Sequence, residues 1–584
     1  MSQTDFPNQR LVQVALGNEP ADLVIKDGIL LDVYSGRMLP GRSVAVSGKW
    51  IAYVGPDAAH TIGKNTEVIE AEGRIISPGY MDTHTHLAGC WDISDFLKYA
   101  IPGGTTTFIT EGESYGCALG AEGFRAFLDQ IGDRPVKMFG LIPSMVTLSP
   151  ATELLFISRH DVKELLKDDR VMGLGESYWQ SVILTSDDRV LELMRETLRA
   201  GKSVQGHGAG AFDKKLAAYA AAGALSCHEA ITTEDVLSRL EYGYYVMVRE
   251  GDVRRDLEII VPIKDEIDLR RIILVTDGVN PDLLIKEGYL VDVVQKAVDL
   301  GVDPINAVQM VSINPAEHFG IDHFTGGVSP GRMADILLLP EEGVMRPDMV
   351  ISNGCVVAKN GKTTVPLPKV PYPDSLYKTI RISPISESDL RIPIPANGSE
   401  EYVRTIDIQP GGLVTREGKV ESNPVDGQYL AAPDRDLLKI VFLERVSGKG
   451  ERFVGFVRGW GQKSGAVAIT QCWDCSGVLA IGADDNDLAV AINRLIEIQG
   501  GIVLSVQGKV EMEIPFNIGG YVSEMSIEET AMKMSQFQET MTGLGSTLEN
   551  AFLTICTLAS PAIPFIRIIE KGYYRFREGD IVGV

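Results

Sequence analysis

The sequence predicts an α/β fold: a (β/α)8 TIM-type barrel, a small composite β-domain built from the segments flanking it, and a C-terminal α+β domain. Residues 79–328 alternate short apolar strands with amphipathic helices, the texture of a parallel sheet with crossover helices. That span of 250 residues is the usual size of such a barrel. On either side stand β-like runs with Gly turns, VIKDG and SVAVSGKWIAYVG before it, ADILLLPEE and DMVISNGCVVAKNGK after it. Each piece is too small to be stable alone, so residues 1–78 and 329–365 are expected to pair. Four prolines between Pro366 and Pro373 mark a linker over 366–379. Residues 380–584 then mix strands (VGFVRGW, AVAIT, GIVLSV) with at least two helices. One helix carries Leu488, Ala491, Ile492 and Leu495 on one face and stops at Gly500-Gly501; the other opens with Ser526 and Glu529 at capping-box spacing.

At 584 residues the chain exceeds what one core supports. Its 45% hydrophobic and 23% charged content is that of an ordinary globular protein. A net charge of −24, spread along the chain, repels phosphate backbones and argues against nucleic acid as a partner. The start of the chain lacks the basic–apolar–small pattern of a signal peptide. The longest apolar stretch, 551–569, is interrupted by Pro561 and Pro564 and reads as core, so no membrane partner is expected. Seven scattered cysteines fit a reducing, cytoplasmic setting.

Eight barrel strands are expected at 79–85, 105–110, 136–142, 171–175, 203–206, 224–227, 244–248 and 272–276. Barrel enzymes place their chemistry at the C-terminal strand ends. Strand 1 ends in His84-Thr85-His86, strand 4 at Glu176, strand 5 at His207, strand 6 at His228 and strand 8 at Asp277. A lone Glu or Asp there is usually a helix N-cap, and a lone His a hydrogen-bonded structural residue. Four of only eight histidines falling at such ends is what points to metal ligation. His60, His160, His318 and His323 lie outside the pattern. Cys472-Trp473-Asp474-Cys475 is a C-x-x-C, a spacing of redox motifs and half zinc sites, with no second pair or nearby His. Arg249-Glu250, after strand 7, is either a substrate clamp or a solvated loop pair; Glu229, Arg249 and Glu250 are the candidate substrate contacts.

The run SPGYMDTHTHL resembles the strand-1 signature of the amidohydrolase superfamily. VMGLGE, GHGAGAFDKKLAAYAAAGALSCHEAITTEDVL, YVMVREG, ILVTDG, INPAEHFG and SPGRMADI are similar to its adenine deaminase branch, as are VGFVRGWGQKSGAVAIT, NRLIEIQGGIV and FLTICTLASPAIPFI near the C-terminus. The resemblance implies that His84 and His86 bind one metal ion, that His207 and His228 bind a second, and that Glu176 bridges them. It gives Asp277 the first site and the handling of protons. The ions implied are two divalent cations, manganese or ferrous iron first and zinc as a further option, since such ligands accept all three. The activity implied is hydrolysis of adenine to hypoxanthine and ammonia in purine salvage. The substrate is then a small nucleobase, and a homo-oligomer, dimer or larger, is expected.

Departures from the family pattern keep two alternatives open: an amidohydrolase acting on another exocyclic amine (an N6-substituted adenine, a pterin) or a cyclic amide, and a non-catalytic barrel scaffold. The usual H-x-H-I-E-S-S reads His86-Leu87-Ala88-Gly89-Cys90 here, T-D-D ends in Gly278, S-D-H-E has Cys227 before His228, and H-D-S-H-N reads Trp473-Asp474-Cys475-Ser476-Gly477. With no side-chain acceptor at Ala88 and Gly89, the freed volume is expected to be lined by Cys90 and Trp91 and to suit an enlarged amine.

Overall fold

The computed structural model describes residues 7–87, 89–184, 187–395 and 401–584. All eight expected barrel strands form: Tyr80–Thr85, Thr105–Glu111, Lys137–Ile142, Val171–Tyr178, Ser203–His207, Ser226–Cys227, Tyr245–Arg249 and Ile272–Val275. They fall into two parallel ladders, strands 1–5 and strands 6–8. Side chains and single backbone bonds close the ring. Ser226 Oγ donates to Gln205 Oε1 at 2.7 Å between strands 5 and 6, and Asp277 N donates to His84 O at 3.0 Å between strands 8 and 1. Below the mouth, Thr276 Oγ1 and Tyr289 Oη both donate to the buried Asp82 at 2.6 Å, pinning strand 8 to strand 1.

The flanking segments share one sheet, in the order 362–363, 355–359, 349–352, 336–339, 75–78, 23–32, 37–47, 50–55, with 67–70 beside 23–32. Its join is antiparallel, Ile336 opposite Pro78 through Leu339 opposite Ile75. Both faces of that join are apolar and buried, which makes the pairing favourable.

Beyond the prolines, an eight-stranded sheet runs in the order 415–421, 402–408, 452–458, 438–444, 477–482, 466–469, 501–506, 509–515. Helix Asp485–Glu497 lays Leu488, Ala491, Ile492 and Leu495, all fully buried, across it. Helix Ile527–Gly543 opens with Ser526 accepting from Glu529 N, the first half of the expected capping box. Residues 366–379 pack down as a strap. Proline-rich backbone presents carbonyls without N–H groups, and these accept from Arg134 Nη1 (Pro368 O, 2.8 Å) and Gln130 Nε2 (Val370 O, 3.2 Å), while Leu376 is fully buried. Among the described residues no helix is long and apolar enough to cross a membrane.

Candidate active site

The six expected ligands converge in two groups at the barrel mouth. His84, His86, Glu176 and Asp277 bring one donor atom each within 4.8 Å of one another, and so do Glu176, His207 and His228. In the first group, His84 Nε2 lies 3.1 Å from Asp277 Oδ1 and 3.4 Å from Glu176 Oε1; His86 Nε2 lies 3.1 Å from Glu176 Oε1 and 3.4 Å from Asp277 Oδ1. In the second, Glu176 Oε2 sits 2.8 Å from His207 Nδ1 and Oε1 sits 3.8 Å from His228 Nε2. Glu176 thus faces both groups, Oε2 toward His207 and Oε1 toward His84 and His86 and, at longer range, His228. His86 is the open member, its side chain 41% exposed, while the His84, His207 and His228 side chains are buried.

Irregular backbone aims these side chains. Between strands 1 and 2 the register slips, so that Thr83 and His84 face Ile109 alone. Between strands 4 and 5 it slips again, and Gly175 and Glu176 face Gln205. Such bulges turn a side chain off the regular pleat. Asp277 adopts φ +58, a conformation non-glycine residues rarely take and hold only when their surroundings enforce it. Here the bond from its N–H to His84 O enforces it.

The electrostatics call for positive charge at the centre. Burial disfavours charged imidazoles, yet Asp277 and Glu176 outweigh it and lift His84 to about 10; Glu229 and Glu176 lift His207 to about 9. His228, stacked on His84 with ring centroids 3.9 Å apart, is instead pushed down to about 4, by burial and by the charge of His84. Against their burial, Glu176 is held well below the usual carboxylate range by His228 and its hydrogen bonds to the other histidines, and Asp277 by hydrogen bonds to His84 and His86 and the charge of Arg249. Neutral imidazoles around divalent cations satisfy the same carboxylates. The nitrogen–oxygen donor set and its spacing therefore fit divalent metal ions. His207 Nε2 is 3.3 Å from Ala562 O, which orients its Nδ1 toward Glu176.

A cavity of about 500 Å³ opens above the ligands. Barrel residues form its floor, and Leu413, Gln471, Trp473, Asp474, Phe552 and Phe565 from the C-terminal part of the chain form its far wall. Asp474, at φ +59, accepts from Tyr178 Oη (2.7 Å) and from Ser560 Oγ. The amidohydrolase family matches residues 75–357, and the adenine deaminase C-terminal domain matches residues 412–580. An adenine deaminase of Moorella thermoacetica is 37% identical, covering 97% of this chain and 96% of its own. One of Rubrobacter xylanophilus is 35% identical, covering 97% and 95%. The chain belongs to the adenine deaminase family.

Its departures from that family's usual motifs can be placed. Gly278 has φ +93, which favours glycine, although a Cβ would meet only His86 at 3.6 Å. Cys227 Sγ is fully buried and accepts from Arg239 Nε at 3.2 Å. Ala88 lies outside the described residues. Its neighbour Gly89 faces Gln471, whose Nε2 would stand 3.0 Å from a Cβ there, and Cys90 Sγ donates to Gln471 Oε1 at 3.3 Å. Trp91 stacks on Phe96 and takes no part in the cavity wall. Cys90 does border the cavity, beside Gly89 and Gln471, so of the expected lining only Trp91 is missing.

Both cysteines of the C-x-x-C are free and buried. Burial pushes the Cys472 thiol up to about 12 and Cys475 well up too, so neither supplies the thiolate that redox chemistry needs. Of the outlying histidines, His60 bonds Ala15 O (3.0 Å), His323 bonds Gly320 O (3.1 Å) and His318 pairs with Gln205 (3.3 Å).

The candidate substrate contacts divide. Glu229 lines the cavity, 3.3 Å from His228 Nε2. Arg249 lines the cavity as well and is not a solvated loop residue: its side chain is 3% exposed and bonds Glu229 (2.5 and 3.0 Å), Asp277 Oδ2 (3.0 Å) and Asp256 Oδ2 (3.2 Å). Glu250 does not reach the cavity; it holds Lys296 Nζ (2.7 Å) and Leu257 N (3.2 Å). Glu250→Gln is accordingly expected to leave the substrate KM within about twofold, because no uniform binding interaction is lost. A steady-state KM raised tenfold at unchanged kcat would place Glu250 on the substrate instead. Four further carboxylates that strand-end reasoning passed over also line the cavity, Glu111, Glu113, Asp235 and Asp252. Glu111 closes strand 2 as the ligands close theirs, and that was the available signal.

Proposed function

We propose that this chain hydrolyses adenine to hypoxanthine and ammonia, at a centre holding two divalent cations, manganese or ferrous iron by ligand type and resemblance, with zinc chemically acceptable. The observation that carries the reading is the shared Glu176, its carboxylate within reach of both ligand groups, beneath a cavity of about 500 Å³ that admits a nucleobase, in a chain of this family. His84, His86, Glu176 and Asp277 would hold one cation and Glu176, His207 and His228 the other. Bound there, the cations supply the charge that brings a water from a pKa of 15.7 toward about 7.

The remaining work falls to side chains. Asp277, held ionised by its histidine bonds and Arg249, accepts the proton of the attacking water as its oxygen adds to C6 of the ring. It returns that proton to the exocyclic nitrogen, so the C6–N bond breaks with neutral ammonia leaving, and the remaining hydroxyl proton passes to N1 to give the C6 carbonyl of hypoxanthine. The Arg249 fork keeps Asp277 and Glu229 in place, while Trp473, Phe552 and Phe565 give a planar ring apolar cover from bulk water. We also assign the protein to the cytoplasm, as a homo-oligomer acting in purine salvage.

The test is ammonia release by manganese-reconstituted protein on adenine beside N6-substituted adenines, pterins and cyclic amides. With Gln471 occupying the strand-1 side, adenine should give the highest kcat/KM, in the 10⁴–10⁸ M⁻¹s⁻¹ range of an enzyme on its own substrate. Turnover of another amine or amide far above adenine would overturn the assignment.

A further inference from the structure

Two buried polar atoms near the centre have no hydrogen-bond partner, and they face each other. His84 Nδ1 and Glu111 Oε1 lie 3.8 Å apart, with the His84 and Glu111 side chains 0% and 2% exposed. Leaving such groups unpaired is costly, and a close pair of them needs an explanation. His84 turns its other nitrogen, Nε2, toward Glu176 and Asp277. The second oxygen of Glu111, Oε2, accepts from the backbone N–H of Glu176 at 3.4 Å. One carboxylate from strand 2 thus reaches the imidazole of one expected ligand and the main chain of another.

Strand 4 is shaped to admit it. A Cβ on Gly175 would lie 2.0 Å from Glu111 Oε2, so that position accommodates the carboxylate only because it is glycine. Gly175 precedes Glu176 within the strand-4 bulge, so the feature that aims Glu176 also makes room for Glu111.

We propose that Glu111 is a positioning residue for the metal centre: its carboxylate accepts a hydrogen bond from Nδ1–H of His84 and fixes Nε2 as the coordinating nitrogen, while Oε2 fixes the Glu176 backbone. This rests on the metal-centre reading above. A carboxylate behind a ligating imidazole sets the tautomer, restrains the ring and raises its basicity, and losing one typically costs 10–100-fold in metal affinity. A closure of less than 1 Å turns the 3.8 Å approach into a hydrogen bond. Glu111 touches no reacting atom, so its effect passes through His84 and Glu176.

Manganese affinity, measured on metal-free protein by the EPR signal of free Mn²⁺, separates this role from general stability. Glu111→Ala should weaken binding of one equivalent by about 10–100-fold, and Glu111→Gln, which keeps an acceptor without the charge, by less. Gly175→Ala, which displaces the carboxylate without removing it, should weaken it in the same sense. The thermal midpoint of the metal-free protein should not fall in Glu111→Gln, since a buried, half-partnered carboxylate contributes little there. Wild type that binds two equivalents with Glu111→Ala and Glu111→Gln binding equally well would overturn the positioning role and leave the metal centre standing. Wild type that binds no manganese would overturn both.

Discussion

Asp277→Asn should keep the fold and bind metal yet lose 10²–10⁴-fold in kcat, the usual contribution of a positioned proton carrier. The amide matches the carboxylate in shape, so its oxygen can still face His84 and His86, now 3.1 and 3.4 Å from Asp277 Oδ1. It cannot accept and return a proton. It also loses the charge that pairs with Arg249 at 3.0 Å, so kcat should fall more than KM rises. Asn also tolerates φ +58 better than most residues, so the backbone turn should persist. Stopped assays of hypoxanthine formation, with metal content measured on the same sample, decide it. More than about a tenth of wild-type kcat at full metal occupancy would remove Asp277 from proton transfer.

Arg249→Met should have the largest effect on stability. The guanidinium is almost wholly buried among Glu229, Asp277 and Asp256. Removing one partner of a buried ionic network leaves uncompensated charge and costs about 3–5 kcal/mol. Arg249→Lys should recover part of the loss, because an ammonium keeps the charge but cannot fork to two carboxylates. Denaturant unfolding of metal-free protein gives the comparison. An Arg249→Met midpoint equal to wild type would mean that the three carboxylates are neutral or solvated, contrary to the geometry.

The barrel was legible because its signals are local and repetitive. Short apolar runs alternating with amphipathic helices gave all eight strands, with ends shifted by a few residues. Strand 4 shows why the ends moved. A strand expected to stop at 175 runs on to Tyr178, because a bulge absorbs Gly175 and Glu176 without ending the ladder. The six ligand types could be read from strand ends, but not what aims them: the register slips at His84 and Glu176 and the left-handed turn at Asp277 depend on neighbouring strands. Long-range partners were hidden in the same way. Gln471 fills the space beside Gly89 from 382 positions away, which no local pattern around the strand-1 loop contains. Arg249 stayed open between a substrate clamp and a solvated loop residue because the carboxylates that bury it, Glu229 and Asp277, come from other strands. Glu111 was passed over for the converse reason: an acid at a strand end is ordinarily a helix cap, and only the closeness of His84 Nδ1 and the gap at Gly175 mark it out.

Both ligand groups should fill and act together through Glu176. The most direct measurement adds manganese stepwise to metal-free protein and follows adenine deamination at each step. Activity should rise to a plateau at two equivalents per chain, and Glu176→Gln should lower occupancy and activity together, since a neutral amide cannot offset two adjacent dications. Full activity at one equivalent or without metal, or Glu176→Gln with unchanged occupancy and turnover, would contradict it.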